Sequence, residues 1–181
     1  MKHLIAINFI ASCAAFTLAT SAFSQQESPY AGQQTRAIKA LSASEVQDLL
    51  GGKGMGLANA AELNGYPGPM HVLDLQRRLR LTDEQRSATQ QLMAGHKEEV
   101  QQLGAQLVQA EADLDAAFAS RQIESAQLTL LTQRIGQLQA AVRASHLQTH
   151  LAQTQLLKPE QIAQYNELRG YTQRSPSIYQ N

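Results

Sequence analysis

His146 and His150 stand four residues apart, so on a helix both imidazoles project from one face and can share a metal ion. The spacing is that of a zinc-protease motif, but Leu147 follows His146 where hydrolysis would require a glutamate. Metal binding without turnover is what remains. A third histidine, His96, has Met93 and Glu99 within one helical turn. Imidazole and thioether suit Zn, Cu or Ni better than Ca or Mg. The plainer reading stays open: a lone histidine at a packing position is usually a core residue with one hydrogen bond. A histidine pair on an exposed face can equally be a polar patch that tolerates protonation. No Ser-His-Asp or paired-carboxylate arrangement stands out, and an enzyme is not expected. The glycines Gly51, Gly52, Gly54 and Gly56 follow no strand and lack phosphate-loop spacing, so they read as a helix-breaking hinge.

Long helices must position those side chains. From Thr82 to about Ala119 no proline occurs. Met93, Val100, Leu103, Leu107, Ala110, Leu114 and Ala117 alternate three- and four-residue steps, with His96 filling the missing place. Leu128, Leu131, Ile135, Leu138 and Val142 repeat the rhythm, continued by Ser145, Thr149 and Ala152. Sustained spacing of this kind predicts two helices packed along a seam. The first would be about 57 Å long at ~1.5 Å per residue. The polar Ser120-Arg121-Gln122 between them is short enough to force an antiparallel hairpin.

Shorter elements flank the hairpin. Ser42 and Glu45 have capping-box spacing and start a helix that Gly51-Gly52 ends. A second helix is expected from about Met55 to Leu63. Pro69 opens a third carrying Met70, His71, Leu73, Leu75 and Leu79. Leu157 to Arg169 forms the last. The class is all-α: a long antiparallel helical hairpin with short flanking helices.

Folding the hairpin at Arg121-Gln122 pairs residues whose numbers sum to about 243. Leu107 then faces Ile135, and His96 faces the turn bearing His146 and His150. The candidate ligands are therefore His96, His146, His150 and Met93 at the open end, with His71 able to join them and Glu99 less certain. Leu92, Leu130, Leu147 and Leu151 lie off the seam and need cover, either from the short helices or from a second chain. A homodimer is the expected solution.

The chain starts with Lys2 and His3, an apolar run from Leu4 to Ala19, and small residues at Ala22 and Ser24. That is the layout of a cleaved signal peptide over residues 1–24. The run is short for a membrane span of about 30 Å. Ile10-Ala11-Ser12-Cys13 also resembles a lipobox, but cleavage there would strand Ala14 to Phe23 on the mature protein. Residues 25–41 read as a flexible leader, 42–169 as the hairpin domain and 170–181 as a loose tail. Without Cys13 the mature chain has no thiol, as suits the oxidising periplasm. The formal net charge is zero and no dense basic stripe occurs, which argues against nucleic acid as a partner.

Leu81-Thr82-Asp83-Glu84-Gln85 is a helix start, with Thr82 and Gln85 set to form a capping box. Leu157-Lys158-Pro159-Glu160-Gln161 is a damaged copy, because Lys158 has no hydroxyl to cap with. As a pair, one before the hairpin and one before the last helix, they resemble the LTxxQ motif of the Spy/CpxP family and the related ZraP-like heavy-metal sensor and resistance proteins. The resemblance covers roughly Met70 to Arg169. It implies a curved helical dimer of the periplasm that acts in envelope stress, as a refolding chaperone for unfolded proteins or as a metal-responsive sensor for a signalling protein. Lys158 departs from the motif, and the neutral charge departs from the basic surface that attracts chaperone clients. A structural coiled-coil adaptor docking another envelope protein is the alternative.

Overall fold

Among residues 28–172, which the computed structural model describes, helices form where periodicity, caps and prolines place them. In chain order they are α1 (Ala43–Leu50), α2 (Asn59–Glu62), α3 (Pro69–Asp74), α4 (Asp83–Ala119), α5 (Ser125–Leu156) and α6 (Pro159–Leu168). No strand occurs among the described residues; the fold is all-α, with α4 and α5 packed on each other. The expected signal peptide, Cys13 and most of the expected tail lie outside these residues. Within the stretch read as a leader, Gln33–Thr35 makes a 3-10 turn, and the Lys39 ammonium pairs with Asp115 at 3.1 Å.

The seam lies where the spacing puts it. Val100, Leu107, Ala110, Ile135, Leu138 and Val142 are buried, together with the polar Ser145 and Thr149. Met93 and Leu128 depart from the pattern at 37% and 36% exposure, Met93 because the helix face around it borders a cavity rather than a packed neighbour. The register holds as well: His96 meets His146, and one heptad nearer the open end Thr89 meets Gln153 at 3.2 Å. The connection is longer than the three polar residues suggest. It spans 120–124, with Arg121 at positive φ (57°).

The first short helix runs to Leu50 as expected, but the next two are shorter than expected. The second is only Asn59–Glu62, because Met55 and Gly56 both take positive φ (46° and 76°) and the chain turns there. The third starts at Pro69 but stops at Asp74, with Arg80 at positive φ (51°) ending the turns that follow. Leu79 is nonetheless buried, delivered by that turn.

Two apolar clusters result. Leu49, Leu107, Ala110, Ile135 and Leu138 join α1 to the closed half of the hairpin. A Cβ at Gly104 would collide with the Leu49 carbonyl, so only glycine lets α1 sit this close. Val72, Leu79, Leu157 and Tyr165 form the second cluster at the open end. Along the hairpin, between Val100 and Val142 on one side and the open-end cluster on the other, the buried residues turn polar: Thr89, Ser145, His146, Thr149 and Gln153.

The two glutamines of the LTxxQ-like segments bind that open end together. Thr82 Oγ1 accepts the Gln85 amide at 3.2 Å and Gln85 Oε1 accepts the Thr82 amide at 3.1 Å, completing the first box. Gln161 Oε1 accepts the Lys158 amide at 2.9 Å, but the Lys158 ammonium cannot accept in return, so the second box is half made. The carboxamides also pair with each other, at 2.8 and 3.0 Å, and donate to the carbonyls of Leu156 and Leu79.

Candidate metal centre

His146 is 5% exposed, and its surroundings dictate its charge. Burial, reinforced by the neighbouring imidazoles of His96 and His150, pushes its pKa down to about 4. Burial also lowers His96, against the Glu99 carboxylate that raises it and His150 that lowers it further. Near neutral pH the His146 ring is therefore uncharged, with one N–H and one bare lone pair.

Hydrogen bonds assign which nitrogen is which. Ser145 donates its hydroxyl proton to Glu99 Oε2 at 2.8 Å. Its oxygen must then accept from His96 Nδ1 at 3.2 Å, which makes Nδ1 the N–H of a neutral His96. His96 Nε2 is left as an acceptor, and it receives the Nδ1–H of His146 at 3.0 Å. The two rings meet edge to face at 4.7 Å between centroids. The chain Glu99–Ser145–His96–His146 thus leaves His146 Nε2 as a lone pair, and that buried atom has no hydrogen-bond partner.

His150, one turn on, is arranged the same way from a different source. Its Nδ1 donates to the Tyr66 carbonyl at 2.8 Å, which leaves Nε2 as the nitrogen able to offer a lone pair to a metal. Pro67-Gly68-Pro69 brings that carbonyl to α5. A Cβ at Gly68 would lie 2.9 Å from His150 Cε1 and 3.1 Å from Nε2, so glycine is required for the approach. Histidines that bind metal usually donate their second nitrogen to a fixed acceptor in this manner, which sets tautomer and ring orientation.

Glu62 of α2 ties the same region to the C-terminus. Its Oε1 accepts from the Tyr165 hydroxyl at 2.5 Å and from Tyr171 at 3.0 Å, with Arg169 at 3.5 Å. Its Oε2 accepts the Gly68 amide at 3.2 Å and lies 3.7 Å from His150 Nδ1. Burial and this carboxylate raise the Tyr165 phenol, which stays a donor.

A cavity of about 630 Å³ collects these groups. His71, Met93, His96, His146 and His150 all line it, whereas Glu99 does not. They do not play equal parts. Both nitrogens of His96 are engaged, which makes it an orienting group, and His71 Nδ1 lies 3.5 Å from Asp74. Among the described residues no three His, Cys, Asp or Glu side chains stand ready as a coordination group. The donor set still suits a transition metal: two imidazole lone pairs on one helix face, one of them buried and unsatisfied. Sequence reasoning missed Glu62, the Tyr66 carbonyl, Met55 and Met70 as parts of the site, because they come from turns and from helices too short to carry a periodic signal. Ser145 had a signal, being a hydroxyl at a seam position.

A family model described as heavy-metal resistance matches residues 53–164. The match contains both LTxxQ-like segments and every residue of the cavity named above. No curated protein and no solved structure matches the chain.

Proposed function

We propose, from the premise that this chain belongs to the heavy-metal resistance family, which contains the Spy/CpxP and ZraP-like proteins, that it is an exported metal-binding protein of sensor type, working without turnover. The observation that carries this reading is the pair of Nε2 lone pairs on His146 and His150, each backed by an Nδ1–H already committed to an acceptor. A bound Zn, Cu or Ni ion supplies a fixed positive charge; the chain's own residues do the rest. Glu99, Ser145 and His96 hold the His146 tautomer, and the Tyr66 carbonyl holds His150. Because Glu62 sits against His150 and also anchors Tyr165 and Tyr171, a small shift of His150 is transmitted to α6. That route would present metal occupancy to an envelope signalling protein. The charged start and apolar run of residues 1–24 support export, and no helix among the described residues is long and apolar enough to cross a membrane.

Exposed apolar side chains favour a second reading. Phe118, Leu63 and Leu130 are 54%, 62% and 68% exposed. Surface of this kind suits a second copy of the chain in a homodimer, or an unfolded periplasmic protein held by a chaperone. Calorimetric titration with Zn, Cu and Ni separates the readings. Wild type is expected to bind well below millimolar metal, and the His146→Ala, His150→Ala double variant is expected not to. Equal binding by both proteins, or none by either, sinks the metal reading and leaves the chaperone.

A further inference from the structure

We infer that the cavity favours a soft monovalent ion, Cu(I) or Ag(I), held by His146 Nε2 together with methionine thioethers at the rim. This rests on the metal-binding reading and narrows it.

The methionines carry the argument. The chain has four, and Met1 lies outside the described residues. The other three, Met55, Met70 and Met93, all line this one cavity. They come from separate segments: the turn after α1, the first turn of α3 and the middle of α4. Methionine in a soluble domain is ordinarily a gap-filler of the core. Here each is exposed, by 45%, 57% and 37%, and none belongs to either apolar cluster. Packing does not account for three exposed thioethers lining the same cavity as His146, whose Nε2 has no hydrogen-bond partner. Soft-metal ligation does, since thioether sulfur selects Cu(I) among the first-row ions.

Charge points the same way. Glu62 is the one carboxylate in the lining, and both its oxygens already accept hydrogen bonds from Tyr165, Tyr171 and Gly68. Lys97 also lines the cavity, as does Lys53, whose ammonium is paired with Asp48 at 2.6 Å. A dication there would meet neutral donors and ammonium groups with no free anionic ligand. The cost of removing an ion from water rises with the square of its charge, so a monocation is far less penalised. Two- or three-coordinate Cu(I) and Ag(I) also need no preformed set of His and carboxylate ligands, and none is present among the described residues.

The test uses the full chain carrying Cys13→Ser, so that its sole thiol cannot compete. Ag(I), and Cu(I) kept reduced under anaerobic conditions against a chromophoric chelator, are titrated alongside Zn(II) and Ni(II). Methionine methyl resonances are followed by NMR. Tighter binding of the monovalent ions is expected, with methyl shifts at the rim methionines. Met55→Leu, Met70→Leu, Met93→Leu together keep side-chain volume and should weaken Ag(I) and Cu(I) at least tenfold, and Zn(II) and Ni(II) by a clearly smaller factor. His146→Ala should remove monovalent binding. Divalent ions bound more tightly than monovalent ones, or an unaffected triple variant, overturn this inference and leave the metal reading standing. No binding of any ion by the parent chain overturns both.

Discussion

An uncharged imidazole at 5% exposure makes the fold sensitive to acid in a definite direction. His146 titrates near 4 in the folded chain against 6.5 as its ordinary value, so as pH falls the unfolded chain takes up the proton first. Its contribution is complete above about pH 6.5 and is lost as pH falls through about 4, by up to roughly 3 kcal/mol. Urea unfolding of metal-free protein across that window should show the loss, and His146→Gln should flatten it. An unchanged slope in the variant would mean that other groups set the acid response. The same residue needs its neighbours for more than charge. With Ser145→Ala, His96 Nδ1 loses its acceptor and nothing fixes which nitrogen of His146 bears hydrogen. Nitrogen-15 NMR of the imidazoles should show a single His146 tautomer, with Nδ1–H, in the parent and a mixture in the variant. A mixture already present in the parent would refute the assigned relay.

At the scale of the elements, the LTxxQ-like segments do two jobs with one side chain each. Gln85 and Gln161 cap their own helices and pair with each other, so the start of α4 and the start of α6 are fastened at one point. Thr82→Ala should cost about 1 kcal/mol through the lost cap, and Lys158→Thr should stabilise modestly by completing the second box. Gln85→Ala and Gln161→Ala should be strongly non-additive, with a coupling of about 0.5–3 kcal/mol in a double-mutant cycle of thermal or urea unfolding. Additive losses would show that each glutamine merely caps. Much of this level was legible in the sequence. Alternating three- and four-residue steps gave both long helices, the hairpin register and the meeting of His96 with His146. The capping boxes at Ser42 and Thr82 marked two helix starts to within a residue. What escaped was the docking of turns. Met55, Glu62 and Met70 reach the cavity, and the Tyr66 carbonyl reaches His150, because positive-φ turns and Pro67-Gly68-Pro69 fold this segment over α5, and no periodicity encodes where such a turn lands. The pairing of two glutamines 76 residues apart is equally invisible to local pattern.

The molecule as a whole divides its core around a polar middle, and that has a cost in cohesion. A buried stretch of Thr89, Ser145, His146, Thr149 and Gln153 gains less from burial than leucine would, and Gln153 Oε1 finds no partner at all. Each apolar cluster is small, and the short helices cover the hairpin unevenly. Of the four leucines expected to need cover, Leu92 and Leu147 are half-buried, whereas Leu130 and Leu151 remain 68% and 49% exposed. Those two stand three heptads apart on α5, so they share one outward face. A second copy laid along that face would bury both and extend the core the monomer lacks. Sedimentation of wild type at micromolar concentration should therefore report a dimer. Leu130→Glu with Leu151→Glu should give a monomer of unchanged helicity, because both side chains already face solvent within one chain. By contrast Leu107→Glu, which buries a charge in the seam, should unfold the hairpin itself. If wild type sediments as a monomer, or the double glutamate variant remains a dimer, then self-association through this face of α5 is wrong and its exposed leucines must serve another partner.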